Sequence, residues 1–453
     1  MMRIASYLLA ALALLALTTR PALAQSILRD AETEQLLLDM AAPLVEVSEL
    51  ESDNIEIVLI NDPSLNAFVA GGQRIYIHSG LLDAADTANE VQGVIAHELG
   101  HITGGHIVRY GQGAEAASNV SLLSLLAGVG AALAGAGDAA MAAIMMGQRA
   151  ALGKFLAYSR SEEASADAAG VRYLSEAGIS GRGSLDFFGK LQNEAFRYGY
   201  RQDDEAEFTR THPLTGDRIA RLREAYQADP AWDAPNDPAL QARFERVKAK
   251  LAGYLDRPGR TLMAYPVSDT SVPARLARAY AYHKDARVAD ALAETQALVE
   301  SDPDDPYFLE LQGQVLLESG RAAQALAPLR RATELSRSHP LIAAIFGHAL
   351  IATEDSDNYA EAQAVLKASV ARDRLNPFAW HQLGQVYAAA GDIPRARLAS
   401  AEQQVMSRRY AEALRSAQAA EAGLPTGSPD WIRAQDIGMQ ARALIEQQLD
   451  QRR

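Results

Sequence analysis

The chain has 453 residues, a formal charge of -14 at pH 7 and no cysteine. That length asks for two or three domains, and the negative charge argues against a polyanion such as nucleic acid as the main partner. Without thiols there are no disulfides and no thiolate metal site, so any metal must be held by histidine and carboxylate.

Met1-Met2-Arg3 gives a positive start, Tyr7 to Leu17 an apolar run, and Ala22-Leu23-Ala24 an A-x-A pattern of small residues. Together they predict a signal peptide over residues 1–24, cleaved before Gln25. The run is short for a membrane-spanning helix, which needs about 20 apolar residues. Leu36 to Leu50 has the apolar spacing of a helix, and Ile55 to Ile60 is a β-branched run that predicts a strand. Asn66 to Ile77 predicts a hairpin turning at Gly71-Gly72, with Ile75 and Ile77 on one face. Its second strand, Arg74 to His78, could be an exposed edge on which an extended peptide pairs, or an interior strand. From Glu90 to Arg109 the pattern is helical, with Val91, Val94, Ile95, Leu99 and Ile102 as the apolar stripe.

Within that helix stands His97-Glu98-Leu99-Gly100-His101. Histidines four apart project from one face about one turn apart, the spacing a tetrahedral zinc requires, and Glu98 beside them can act as a base toward water activated by the metal. H-E-x-x-H on an amphipathic helix is a specific signal, against the plain alternative of two surface histidines. His106 follows five residues after His101. A continuing helix would turn it by roughly 140° and point it away, which makes it structural.

Ser121 to Gly147 is almost wholly Ala, Gly, Leu and Met, with Asp138 its single charge. It predicts a mobile flap or membrane-facing helical hairpin over a cleft, against a packed hairpin. Helical pattern resumes at Ser161 to Leu174 and Leu185 to Ala195. In the first of these, Glu163 and Asp167 are again four apart, with Ala164, Ala166, Ala168 and Gly170 allowing close helix packing. Glu163 is thus a candidate third metal ligand and Asp167 a candidate orienter of a ligand histidine. The alternative is a solvated acidic turn, and chemistry alone leaves the two open.

These residues resemble the M48 family of zinc metallopeptidases, through H-E-x-x-H at His97 to His101 and E-x-x-A-D at Glu163 to Asp167. The resemblance extends to Asn66-Ala67-Phe68, Gly80-Leu81-Leu82 and Thr211 to Arg218. It implies a zincin-like domain with one Zn2+ per chain, held by His97, His101 and Glu163. Glu98 is then the catalytic base, and Asp167 a proton donor or a partner behind a ligand. It further implies that His212 can approach the zinc from a loop and damp activity, against a plain helix-entry role. Arg218 would reach substrate or an acidic residue of the site.

Between Asp229 and Pro273 the composition turns polar and Pro-rich, which predicts a protease domain over 25–255, a linker over 256–272 and a second domain over 273–453. Trp380-His381-Gln382-Leu383-Gly384-Gln385-Val386-Tyr387 fits the opening of a tetratricopeptide repeat. Pro306 with Gly313 and Pro340 with Gly347 repeat its spacing, and Glu354 to Asn358 is an acidic insertion in a turn. Weaker copies start near Ala274 and Ala401. The expected fold is therefore mainly α with a small β-sheet, a zincin-like domain followed by an α-helical repeat solenoid. Such a solenoid offers a groove for a protein partner.

M48 members with this order of signal peptide, protease domain and repeats imply a metalloendopeptidase in the periplasm of a Gram-negative bacterium. Its substrates would be misfolded or stalled outer-membrane barrel proteins, whose assembly it would also assist. The repeats would engage the barrel-assembly machinery, with peripheral membrane association. The rival is a chaperone-like repeat adaptor with a largely dormant zinc site.

Overall fold

The computed structural model describes residues 26–51, 54–106, 124, 137–197, 212 and 216–450. The expected signal peptide and its cleavage point therefore lie outside the described residues, as does most of the expected flap. The part of that segment from Gly137 onward is helical. Among the described residues, no helix is long and apolar enough to cross a membrane.

The chain divides into two compact units, described here one at a time. The first comprises residues up to 28 and 43–234. Its sheet contains β1 (Ser26–Leu28), β2 (Glu56–Asn61), β3 (Ala67–Ala70) and β4 (Arg74–His78), in the order β1-β2-β4-β3. β3 and β4 form the expected hairpin, antiparallel with Val69 opposite Ile75, while Gly71 and Gly72 take positive φ at the turn. β4 also pairs in parallel with β2, from Glu56 beside Arg74 to Ile60 beside His78. The expectation that Arg74 to His78 could be a free edge is thus corrected, because both its sides carry ladder bonds and the edge beside it is β3. Ile75 and Ile77 are fully buried, as their shared face required.

The helices of this unit are α2 (Ser79–Ala84), α3 (Ala88–Thr103), α4 (Gly137–Glu176), α5 (Arg182–Arg197) and α6 (Gly216–Gln227). The earlier helix α1 (Ala31–Val47) is cut by the division at Pro43.

The second unit comprises residues 29–42 and 235–453. It opens with α7 (Pro238–Leu255) and α8 (Pro258–Ala264) and continues as five helical hairpins. These pair α9 (Val272–Lys284) with α10 (Val288–Ser301), α11 (Pro306–Glu318) with α12 (Ala322–Leu335), and α13 (Pro340–Ala352) with α14 (Tyr359–Arg372). They end with α15 (Pro377–Ala389) beside α16 (Ile393–Met406), and α17 (Tyr410–Gly423) beside α18 (Pro429–Asp450). Ala286, Gly320, Glu354 and Gly391 hold positive φ at the same place in four successive hairpins, which shows the repeat in the backbone itself. The acidic insertion forms a short 3-10 turn at Ser356–Asn358.

Two boundaries differ from the sequence reading. Residues 256–272 are no free linker. Pro258 opens α8, Lys284 donates to the carbonyls of Tyr254 and Asp256 at 2.6 Å, and Arg278 donates to those of Pro266 at 2.9 Å and Asp269 at 2.8 Å. Pro258 starts a helix and the stretch after it is tied down by Arg278, so the second unit begins near residue 235 and takes in α7. The last hairpin starts at Tyr410 rather than near Ala401, which lies inside α16.

Candidate metal centre

α3 carries His97, Glu98 and His101, all buried. Its start is fixed by local chemistry. The Thr87 hydroxyl accepts the Glu90 N–H at 3.2 Å, and the Glu90 carboxylate accepts the Asp86 N–H at 3.2 Å and the Lys190 ammonium at 2.7 Å. Buried Asn89 donates to the Ser180 carbonyl at 2.9 Å and accepts the Gly183 N–H at 2.8 Å, which ties α3 to the head of α5. The motif is therefore held at both its start and its flank.

α4 meets α3 at backbone distance. A Cβ on Gly100 would lie 2.6 Å from the Ala166 carbonyl oxygen, and one on Gly170 would lie 3.3 Å from the Ala96 carbonyl carbon. This approach brings Glu163 and Asp167 to the histidines. Of the four small residues expected to permit it, Ala166 and Gly170 are buried at the contact, whereas Ala164 and Ala168 face solvent.

Four buried groups converge, with ligand atoms of His97, His101, Glu163 and His212 all within 4.8 Å of one another. The Nε2 atoms of His97 and His101 are 3.1 Å apart. Glu163 Oε1 is 3.4 Å from His101 Nε2, and Oε2 is 3.5 Å from His97 Nε2. His212 Nδ1 lies 3.3 Å from His97 Nε2 and 3.0 Å from Glu163 Oε1. Ligands bound at about 2.0–2.2 Å in a tetrahedron are themselves about 3.3–3.6 Å apart, so these spacings lie within a few tenths of an ångström of those around one zinc ion. Facing imidazole lone pairs repel one another unless a cation or a proton stands between them.

Behind the ligand atoms, His97 Nδ1 is 3.0 Å from Asp167 Oδ1. Arg218 from α6 holds Asp167 with Nε at 2.5 Å and Nη2 at 2.7 Å, and places Nη1 2.7 Å from Glu163 Oε2. The sequence reading left Arg218 between substrate and an acidic partner, and its place is between two carboxylates. Two carboxylates, those of Glu163 and Asp167, share the one guanidinium of Arg218, so acid exceeds base in this group. Burial opposes a charge on His97, but hydrogen bonds to Asp167 and Glu163 outweigh it and push its pKa up to about 9. Glu163 sits well below the usual carboxylate range, because the histidines around it overcome its burial. Asp167 is lowered too, against burial, by the hydrogen bonds of Arg218 and His97. Both oxygens of Glu98 are buried with no hydrogen-bond partner among the described residues, and His212 Nε2 is 3.8 Å from one of them.

The structure places His97, His101, Glu163 and His212, all named from the sequence, in one group. The sequence reading misplaced His106. The ring is buried and stands against His101, with the two Nδ1 atoms 2.9 Å apart. α3 ends at Thr103, so the helical rotation that would have carried His106 away does not apply. Gly104-Gly105 was the signal for that ending. Of the segment Thr211 to Thr215, only His212 belongs to the described residues.

Residues 28–226 match the family model of Peptidase family M48. The chain is 25% identical over 381 residues to the beta-barrel assembly-enhancing protease of Escherichia coli strain K12, covering 82% of this chain and 75% of that protein. It is 30% identical over 259 residues to the putative beta-barrel assembly-enhancing protease of Vibrio cholerae, with 56% of this chain and 52% of that protein covered. It is 32% identical over 180 residues to the metalloprotease LoiP of Escherichia coli, covering 39% and 64%.

Proposed function

We propose that the chain, whose residues 28–226 match peptidase family M48, is a metalloendopeptidase that binds one zinc through His97, His101 and Glu163 and cleaves unfolded polypeptide with Glu98 as the base. When bound, zinc polarises the scissile carbonyl and lowers the pKa of water to about 7.

The remaining chemistry belongs to the chain. Glu98 takes the proton of the attacking water and passes it to the leaving amine, and its bare, buried carboxylate is the observation that carries the reading. Asp167 accepts the Nδ1–H of His97 and so keeps Nε2 free for the metal. Arg218 fixes Asp167 and Glu163 together. Among the described residues β3 ends the sheet beside β4, and an extended peptide pairing with it would be held by its backbone, which leaves sequence selectivity loose.

His212 brings a fourth protein ligand, its third nitrogen, to a site that needs one open position for water or substrate. We read the form with His212 inserted as the resting enzyme, and its withdrawal as the step that admits substrate.

The relatives carry the name of beta-barrel assembly. We extend from them a periplasmic location after signal cleavage, outer-membrane barrel proteins as substrates, and a repeat unit that docks on the assembly machinery at the membrane. The rival reading, an adaptor with a dormant site, has no use for a buried Glu98 carboxylate that lacks a hydrogen-bond partner among the described residues. The test is Glu98→Gln in the full chain. Cleavage of an unfolded substrate is expected to fall at least about 100-fold with zinc retained, and substantial residual proteolysis would falsify the mechanism.

A further inference from the structure

The end of α3 contains an arrangement that the zinc ligands alone do not require. Gly104 is the C-cap of α3, and its N–H donates to the Gly100 carbonyl at 3.0 Å. Gly105 then takes φ of +64°, a left-handed conformation that a side chain resists. The chain reverses there, and His106 folds back beneath the helix it has just left. Its ring occupies the space that a side chain on Gly104 would need, since a Cβ there would lie 2.3 Å from His106 Nε2. The ring is buried, and it meets His101 at 80° with the centroids 4.9 Å apart.

The contact has a defined polarity. His101 turns Nε2 toward His97 and Glu163, at 3.1 and 3.4 Å, and turns Nδ1 toward His106 Nδ1, at 2.9 Å. A neutral imidazole carries one proton. If Nε2 is to give its lone pair to a metal, the proton must sit on Nδ1, and the group facing Nδ1 must accept it. His106 Nδ1 is the atom placed to do so. His97 meets the same requirement with a carboxylate, that of Asp167, whereas His101 meets it with a neutral ring.

We propose that His106 is a positioning residue for the metal, fixing the tautomer and ring orientation of His101 through an Nδ1–H···Nδ1 hydrogen bond made possible by the Gly104-Gly105 reversal. The proposal rests on the reading that His101 Nε2 is a metal ligand. Outer partners of this type typically contribute 10–100-fold in metal affinity. A neutral acceptor suits this place because a further carboxylate would add to the negative excess around the site.

The test uses the full chain with zinc affinity as the readout, measured by competition with a chromophoric chelator, alongside the visible spectrum of the cobalt-substituted protein. His106→Phe keeps a ring and loses the acceptor. His106→Asn restores an acceptor near the position of Nδ1. Zinc affinity is expected to fall about 10–100-fold in His106→Phe and to return to within a few-fold of the original in His106→Asn, with the cobalt spectrum altered only in the former. Loss of affinity to the same degree in both variants, or in neither, overturns the proposal. If the unaltered protein binds neither zinc nor cobalt, it is the metal reading itself that fails, and this inference falls with it. Melting of the metal-free proteins separates the two causes of a loss. Equal metal-free stability with unequal zinc affinity is the expected pattern, whereas a loss of affinity that only tracks a loss of stability assigns His106 to packing.

Discussion

Two buried polar clusters, one in each unit, show what separates a metal site from a structural ion network. In the first unit, lone pairs of His97, His101, Glu163 and His212 point at one another across 3.0–3.5 Å. In the second, each acid faces a base. Lys250 Nζ is 2.5 Å from Asp30 and 3.5 Å from Glu32, and Arg246 is 2.8 Å from both Glu32 and Asp305. Glu310 lies in the same network, and burial pushes its pKa up to about 8, with Asp30 and Glu32 adding to the rise against Lys250. Both clusters have an excess of acid. The second relieves it with a proton on Glu310, and in the proposed reading the first does so with a divalent cation. Converging acceptors, rather than acidity, are what mark the metal site.

The comparison can be broken at Lys250. Replacing it with Met leaves Asp30 and Glu32 without their ammonium partner, and losing one member of a buried pair typically costs about 3–5 kcal/mol. The full chain is expected to melt markedly lower, while each molecule that remains folded keeps its zinc. Loss of zinc without loss of stability would show that the clusters are not separate in kind.

A smaller effect sharpens the role of the proton. Glu310 has a folded-state pKa of about 8 against an ordinary value of 4.5. A raised acid contributes stability that is fully present below pH 4.5 and lost as the pH rises through about 8. Glu310→Gln mimics the protonated form, so it should match the original protein near pH 4 and exceed it at pH 8 and above by at least about 1 kcal/mol. Melting curves across that range check this. A gap independent of pH would remove the proton from the account.

The smallest expected change is at His212. His212→Ala opens the fourth position and should raise basal proteolysis a few-fold with zinc retained. Unchanged or lower activity would count against the resting-state reading.

Much of the site was legible because its parts are local. His97, Glu98 and His101 share one helical face, and Glu163 and Asp167 share another, so spacing alone groups each set. Ala164, Ala166, Ala168 and Gly170 hinted at close helix packing, although the spacing did not say which of them would lie at the contact. What failed depended on pairing at a distance or on where an element stops. The parallel ladder of β2 on β4 joins segments separated by β3, and nothing in Arg74 to His78 distinguishes an interior strand from an edge. His106 was misread because the helix was carried past Gly104-Gly105. Residues 29–42 belong with the repeats through the pairing of Asp30 and Glu32 with Lys250, a partnership that spacing cannot reveal.

The central claim is that three residues of the first unit hold one zinc, and the most direct measurement is metal content. Elemental analysis of the purified full chain should give about one zinc per molecule, and Glu163→Ala, checked for folding by its melting curve, should give close to none. A folded Glu163→Ala that still carries one zinc, or an original protein that carries none after incubation with the metal, would contradict the account.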